Sequence, residues 1–260
     1  DQPSCIKDAS PVYNITLINS DHGGPGHARN RGIVEARGNY IQFIDADDYL
    51  LPNGQLTQCL AMMETERPQI LRFGYKVKTD DNPETTRPRT VKFSNTISGA
   101  IFMRDNNLSG SPCTYFFLKS LVVENNIRFP ERLFHEDEEF NTILHYHAQT
   151  LVVSDAQPYC YRIREGSTTA NRSKEFENRR IENMFTIIEH IAAYAHQHAA
   201  YANTIQTDGI THKLRMLCVD VILNLLFDNR SANEIYDECM SRLKPMGLFP
   251  LAKANYSFKY

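Results

Sequence analysis

Short apolar runs alternate with helical patterns through residues 14–170, and a purely helical pattern follows. Asn14-Ile15-Thr16-Leu17-Ile18-Asn19 has the length and β-branched content of a strand. The breaker cluster Gly23-Gly24-Pro25-Gly26 comes next, then a helical run from Ala28 to Ala36 with Gly38 suited to its C-terminal cap. Tyr40-Ile41-Gln42-Phe43-Ile44 is a second strand-like run. This order predicts a β-α-β unit with parallel strands and a right-handed crossover.

Leu56, Cys59, Leu60 and Met63 share a helical face that Pro68 closes. Residues 70–77 read as one strand, with Phe73, Tyr75 and Val77 alternating, and the polar stretch 79–89 reads as a loop or hairpin tip. A short helix is predicted over 98–105, a strand over 112–118 and a helix over 119–125. Residues 150–153 and 157–163 read as strands, and 171–177 as a linker. From Phe176 the period stays helical. Ile181, Met184, Phe185, Ile188, Ile191 and Ala195 form one stripe, and Leu214, Leu217, Cys218, Val221, Ile222 and Leu225 another. Ser231 with Glu234 forms a capping box for a third helix bearing Ile235, Cys239 and Leu243. The expected organisation is an α/β domain over residues 1–170 and a helical subdomain over 171–260.

Composition narrows the class. The 260 residues are 42% hydrophobic and 23% charged, which suits a globular chain with a sizeable core. A net charge of −3 gives no basic surface for nucleic acid. Cys5, Cys59, Cys113, Cys160, Cys218 and Cys239 show neither CxxC nor zinc spacing, and read as reduced thiols of a cytosolic protein. The start lacks a secretory signal pattern, and the apolar stretch 216–227 contains Asp220 and Asn224 and is too short to span a bilayer.

Two acidic clusters carry the candidate chemistry. Asp45, Asp47 and Asp48 follow directly on the run 40–44. Ligands of open α/β sheets bind beyond the carboxyl ends of strands. There, alternation along an extended segment would put Asp45 and Asp47 on one side, as a site for a divalent metal bridging a phosphate. The same residues also suit a plain turn. An EF-hand loop is disfavoured, because neither its sixth-place Gly nor its twelfth-place Glu is present. The second cluster, His135-Glu136-Asp137-Glu138-Glu139, opens a helix with Phe140, Ile143, Leu144 and His147 on one face. Acids in a first helical turn are stabilised by the helix dipole, or one of them faces a cleft as a general base. Gly23 to Gly26 is a strand-to-helix turn or an anion cradle. Arg162 and Arg164 are surface charges, or they hold a phosphate or an acidic loop. His190, His196, His198 and His212 lie in the tail with no carboxylate pattern beside them.

In combination these stretches resemble family 2 glycosyltransferases. Gly23-Gly24-Pro25-Gly26-His27-Ala28-Arg29-Asn30-Arg31-Gly32 followed by Gly38 to Asp48 is similar to that family's AlaArgAsn-x-Gly and strand-AspxAspAsp signature. Residues 135–140 resemble its downstream GluAsp motif, and Tyr161-Arg162 with Gly166-Ser167-Thr168 its closing segment. Pro11-Val12-Tyr13-Asn14 repeats the family's opening tetrapeptide but stands too close to the Gly-rich turn. The family's usual first nucleotide-binding unit is therefore expected to be missing from this chain.

The resemblance implies a GT-A fold, with a mixed, mainly parallel sheet flanked by helices. It implies inverting transfer of a sugar from a nucleotide-diphosphate sugar to an acceptor hydroxyl, in cell-surface glycan assembly. Asp47 would be the main metal ligand for Mg or Mn, with Asp45 on the ribose or the metal. Asp137 would be the base, with Glu136 as second choice, and Arg29, Arg162 and Ser167 would contact the donor. A glycan or lipid-linked acceptor is the implied partner, in the cytoplasm or at the inner face of the membrane. Two other classes stand beside this one. A DxDxT phosphatase is disfavoured by Tyr49 at the Thr position, and a non-catalytic scaffold would bind a partner through its tail.

Overall fold

The computed structural model describes residues 14–79, 85–86, 95–106, 108, 110–164 and 173–252. Helix α1 (Gly24–Glu35) is followed by β1 (Tyr40–Ile41), β2 (Tyr49–Leu50), α2 (Gln55–Glu66), β3 (Ile70–Arg72), β4 (Tyr75–Thr79) and β5 (Thr85–Thr86). Then come α3 (Gly99–Asp105), β6 (Tyr115–Leu118), α4 (Lys119–Glu124), α5 (Glu136–His147), β7 (Leu151–Val153) and β8 (Tyr159–Ile163). The tail consists of α6 (Lys174–His198), α7 (Thr204–Phe227) and α8 (Ala232–Arg242).

The strands form two sheets, ordered β1-β6-β3-β7 and β2-β8-β4-β5. The α/β class holds, and the pairing is mixed. Among the described residues β3–β7 and β4–β8 are parallel, while β1–β6, β3–β6, β2–β8 and β4–β5 are antiparallel. The expected predominance of parallel pairing is therefore corrected. Its first unit fails because residues 14–19 join no ladder, and Ile15 and Leu17 are exposed. A strand exists only through a hydrogen-bonded neighbour, and β1 takes β6 as its described one, with Ile41 opposite Phe117.

The single strand expected over 70–77 is two strands in two sheets. The switch lies at Phe73-Gly74. Phe73 N–H donates to Thr114 O at 3.1 Å and Gly74 N–H to Ala156 O at 2.8 Å. A Cβ on Gly74 would stand 2.9 Å from Gln157 Cγ, so the close approach favours glycine. Helix α1 starts inside the expected breaker cluster, with Pro25 in its first turn, where a missing N–H costs nothing. Its C-cap is Ala36 rather than Gly38.

The largest core unites both parts of the chain. Phe117, Phe129, Phe140 and Leu144 of the α/β part belong to the same buried cluster as Ile181, Phe185, Ile188, Leu217 and Val221 of the tail. The three tail helices form as their stripes predict, and Ser231 and Glu234 make the expected capping box. Asn203 and Gln206 form a second one at the start of α7. Five of the six cysteines lie among the described residues, all buried and unbridged; Cys5 lies outside them. No helix among the described residues is long and apolar enough to cross a membrane.

Helix α7 reaches the body through a glycine. A Cβ on Gly209 would stand 2.6 Å from the backbone oxygen of Ala100 in α3. Gly209→Ala is expected to push the helices apart and to cost about 1–3 kcal/mol of stability, as overpacking does. Urea denaturation measures it, and an unchanged midpoint would show that the helix contact is looser than described.

Candidate active site

The two acidic clusters meet around one arginine. Arg29 lies on α1, with its side chain 13% exposed. Its Nη2 donates to Asp45 Oδ1 at 2.9 Å and its Nη1 to Glu136 Oε1 at 2.7 Å. The guanidinium lies over the Phe129 ring, 5.5 Å from its centre. Burial alone would work against the charge, but Asp45 and Glu136 outweigh it and hold the group protonated above its ordinary range. Only a planar fork with diverging donors spans two carboxylates in this way.

The next residue, Asn30, fixes where that arginine stands. Asn30 is buried, its Nδ2 donates to Phe129 O at 2.9 Å, and its Oδ1 accepts from Phe129 N–H at 2.9 Å. Gly26 lets α1 lie flat on the same segment, because a Cβ there would stand 2.4 Å from Pro130 O. Aromatic packing completes the frame. Phe129 stacks on Phe140 of α5 with ring centres 3.8 Å apart, and Phe43 meets Phe129 at 5.5 Å and Phe140 at 6.4 Å. Phe43 stands two residues before Asp45 and Phe140 stands in α5, so packing carries both acidic clusters to one place.

Residues 45–48 are not the extended segment that alternation requires. Asp48 N–H donates to Asp45 O at 3.0 Å and closes a turn. The expectation that Asp45 and Asp47 share one side through strand alternation is thus corrected. The carboxylates instead have different partners. Asp45 meets Arg29, and Asp47 Oδ2 accepts from Arg164 Nε at 3.0 Å. Asp48 accepts from the Tyr159 hydroxyl and, at 2.8 Å, from Arg162 N–H. Burial raises the Asp48 pKa, the Tyr159 and Arg162 bonds oppose this, and Asp45 and Asp47 reinforce it. Arg162 donates its backbone N–H to the acidic turn, and Arg164 reaches that turn with its side chain, as Arg29 does. Ser167 lies outside the described residues.

Asp45, Asp47 and Asp48 offer hard oxygen donors of the kind that Mg and Mn take. No three His, Cys, Asp or Glu among the described residues gather as a metal-holding group. A cation shared with a substrate diphosphate needs only one or two protein carboxylates. Asp47 pairs with Arg164, whose side chain is 53% exposed.

The acidic turn at the start of α5 is arranged by charge. His135 precedes it in a left-handed conformation, with φ 64°. Glu136 is held by Arg29, and Glu138 by Lys213 of α7, whose Nζ stands 2.5 Å from Glu138 Oε2. Asp137 lies between them and keeps partial exposure. Gly110 closes over this turn, and a Cβ there would stand 3.0 Å from Asp137 Oδ2. Burial is the main reason that the Asp137 pKa stands well above the usual carboxylate range. Glu138 and Glu136 add to the rise, and Arg29 and Lys213 partly offset it. A carboxyl with a raised pKa is the pattern of a proton acceptor tuned toward neutral pH.

Asn30, Tyr159 and Lys213 were not singled out from sequence. Asn30 carried a faint signal, as an asparagine inside a helix where propensity does not favour it. Lys213 carried one too, as a cation beside the apolar stripe of α7.

A mixed sheet between helices, with an acidic turn beyond one short strand and a second acidic turn beside it, defines a GT-A glycosyltransferase fold. Residues 6–125, just under half of the chain, match the model of glycosyl transferase family 2. "Uncharacterized glycosyltransferase EpsJ" of Bacillus subtilis is 26% identical over 161 residues, which cover 60% of this chain and 46% of that protein. The poly(ribitol-phosphate) beta-N-acetylglucosaminyltransferase TarS of Staphylococcus aureus is 27% identical over 155 residues, 58% of this chain and 26% of TarS. The chain thus spans about half the length of EpsJ and less of TarS. The crystal structure of TarS 1-349 with UDP-GlcNAc superposes with a TM-score of 0.56 at 22% identity, covering 85% of this chain and 68% of that one. That likeness concerns the fold.

Two outcomes follow from the charge arrangement. Arg29→Met leaves Glu136 buried without its cation and is expected to cost about 3 kcal/mol. Arg29→Lys recovers only part, since a point charge cannot span both acids. Denaturant unfolding reads both, and a loss below about 1 kcal/mol would show the clamp to be incidental. The second outcome concerns Asp137, whose folded pKa lies above its unfolded one. The stability it contributes is full below the unfolded pKa and is lost as pH rises through the folded pKa. Asp137→Asn is expected to flatten that decline as pH rises above about 4, and an unaltered slope in urea unfolding would contradict the raised pKa.

Proposed function

We propose that the chain transfers a sugar from a nucleotide-diphosphate sugar to an acceptor hydroxyl with inversion at the anomeric carbon. The observation that carries this reading is the Arg29 bridge between Asp45 and Glu136. It joins a turn suited to a diphosphate to a turn bearing a raised carboxyl. In this reading Asp47, with Asp45, would hold a Mg or Mn ion, which would supply positive charge for a departing diphosphate.

Asp137 takes the proton of the acceptor hydroxyl as that oxygen attacks. Glu136 suits the role less, because its Oε1 accepts from Arg29. One base in line with one displacement accounts for inversion, so no second catalytic carboxylate is required. Arg29 keeps Asp45 and Glu136 in register and lends positive charge to the donor side. Arg164, which pairs with Asp47, is placed to turn toward a phosphate. Arg162 and Ser167 remain proposed contacts of the donor or of a covering segment. The acceptor is a glycan or lipid-linked glycan of the cell surface, handled in the cytoplasm or at the inner membrane face. The names of GgaB and TarS support the cell-surface glycan acceptor.

UDP-GlcNAc is the first donor to test, because a TarS structure holds it. Calorimetry with Mn is expected to show donor binding that Asp47→Ala abolishes. Asp137→Asn should retain binding and lose turnover by about a hundred- to ten-thousand-fold. The anomeric configuration of the product, read by NMR, is expected to be opposite to that of the donor. If neither this nor any other nucleotide-diphosphate sugar binds under either metal, the enzyme reading fails, and the non-catalytic scaffold takes its place.

A further inference from the structure

Lys213 is the most deeply buried lysine side chain among the described residues, at 1% exposure, and it sits in the middle of α7. A buried ammonium is tolerated only when it is paired and hydrogen-bonded. Its Nζ donates to Leu108 O at 2.7 Å and to Glu138 Oε2 at 2.5 Å. Glu138 is itself only 7% exposed. Gly209 lies four residues earlier on α7, and so on the same helix face. Its close approach to Ala100 brings α7 near enough for the lysine to reach Glu138.

The pair has a consequence for the residue next to it. Asp137 is faced by Glu136 and Glu138 on its own helix, by Arg29 from α1, by Tyr115 from β6 and by Lys213 from α7. Arg29 balances Glu136 and Lys213 balances Glu138. Among the described residues no cation pairs directly with Asp137. The acid in the middle therefore depends on the neutrality of both flanking pairs.

We propose that Lys213 is a positioning residue for Asp137, neutralising Glu138 beside it and thereby making the helical tail an integral part of the acidic turn. The catalytic part of this inference rests on the reading of Asp137 as base; the electrostatic part does not. Lys213 touches no reacting atom. It acts through Glu138, whose uncompensated charge would make Asp137 harder to ionise.

The test is a carboxyl-carbon NMR titration of the full chain, with the Asp137 signal assigned through Asp137→Asn. Lys213→Met is expected to raise the Asp137 midpoint by about one pH unit, a tenfold change in its ionisation constant. The double variant Lys213→Met/Glu138→Gln removes both charges and is expected to bring the midpoint back to the wild-type value. Replacing a buried pair by neutral groups is often tolerated, so this variant is expected to fold even if Lys213→Met does not. Glu138→Gln alone leaves the lysine charge unbalanced and should lower the midpoint.

An Asp137 midpoint that stays put in the single variants, or a double variant that stays displaced, overturns the proposal. The acid limb of the kcat/KM profile is expected to follow the NMR midpoint in each variant. If the midpoint moves and the limb does not, the link from Lys213 to Asp137 stands and Asp137 is not the base.

Discussion

The structure depends most on the fork of Arg29. One buried guanidinium meets Asp45 from the turn after β1 and Glu136 from the start of α5. These acids are far apart in the chain and would repel each other without it. Three local features make the bridge possible. Gly26 lets α1 approach Pro130, Asn30 pins α1 to the Phe129 backbone, and Phe43 packs against Phe129 and Phe140. Apolar packing brings the two turns together, and the arginine makes that proximity electrostatically tolerable. A buried pair of this kind contributes more to register than to net stability.

The same logic repeats on the other side of the acidic turn. Lys213 does for Glu138 what Arg29 does for Glu136, from an element of the tail rather than from the α/β part. The large core cluster is likewise continuous from Phe117 and Phe140 into Phe185 and Leu217. The tail is therefore packed against the acidic turn by both apolar contact and charge. Burial raises the Asp137 pKa, and the two pairings limit what Glu138 and Glu136 add to that rise.

Much of this was legible in the sequence because its signals are local. The stripes of α6 and α7, the Ser231–Glu234 box and the helix opening at Glu136 all rest on short-range periodicity and capping. The acidic clusters were visible as residue types, and the order of motifs carried the resemblance to family 2 glycosyltransferases. What was not legible required knowledge of partners. Residues 14–19 have the composition of a strand, but no ladder partner stands beside them among the described residues. Residues 70–77 read as one strand, because nothing local announces a switch between sheets except Gly74. The turn at 45–48 breaks the alternation expected of Asp45 and Asp47. Asn30, Tyr159 and Lys213 act at a distance along the chain, through contacts that no spacing encodes.

The central claim is that the turn bearing Asp45 and Asp47 and the turn bearing Asp137 form the two sides of one transfer site. A crystal structure of the chain with Mn and UDP-GlcNAc, or another donor that binds, tests it most directly. The account predicts the diphosphate beside Asp47, Arg164 turned away from that carboxylate, Arg29 still bridging Asp45 and Glu136, and the sugar carbon facing Asp137. A nucleotide seated away from the Asp45–Asp48 turn, or a sugar carbon pointing away from Asp137, would contradict it.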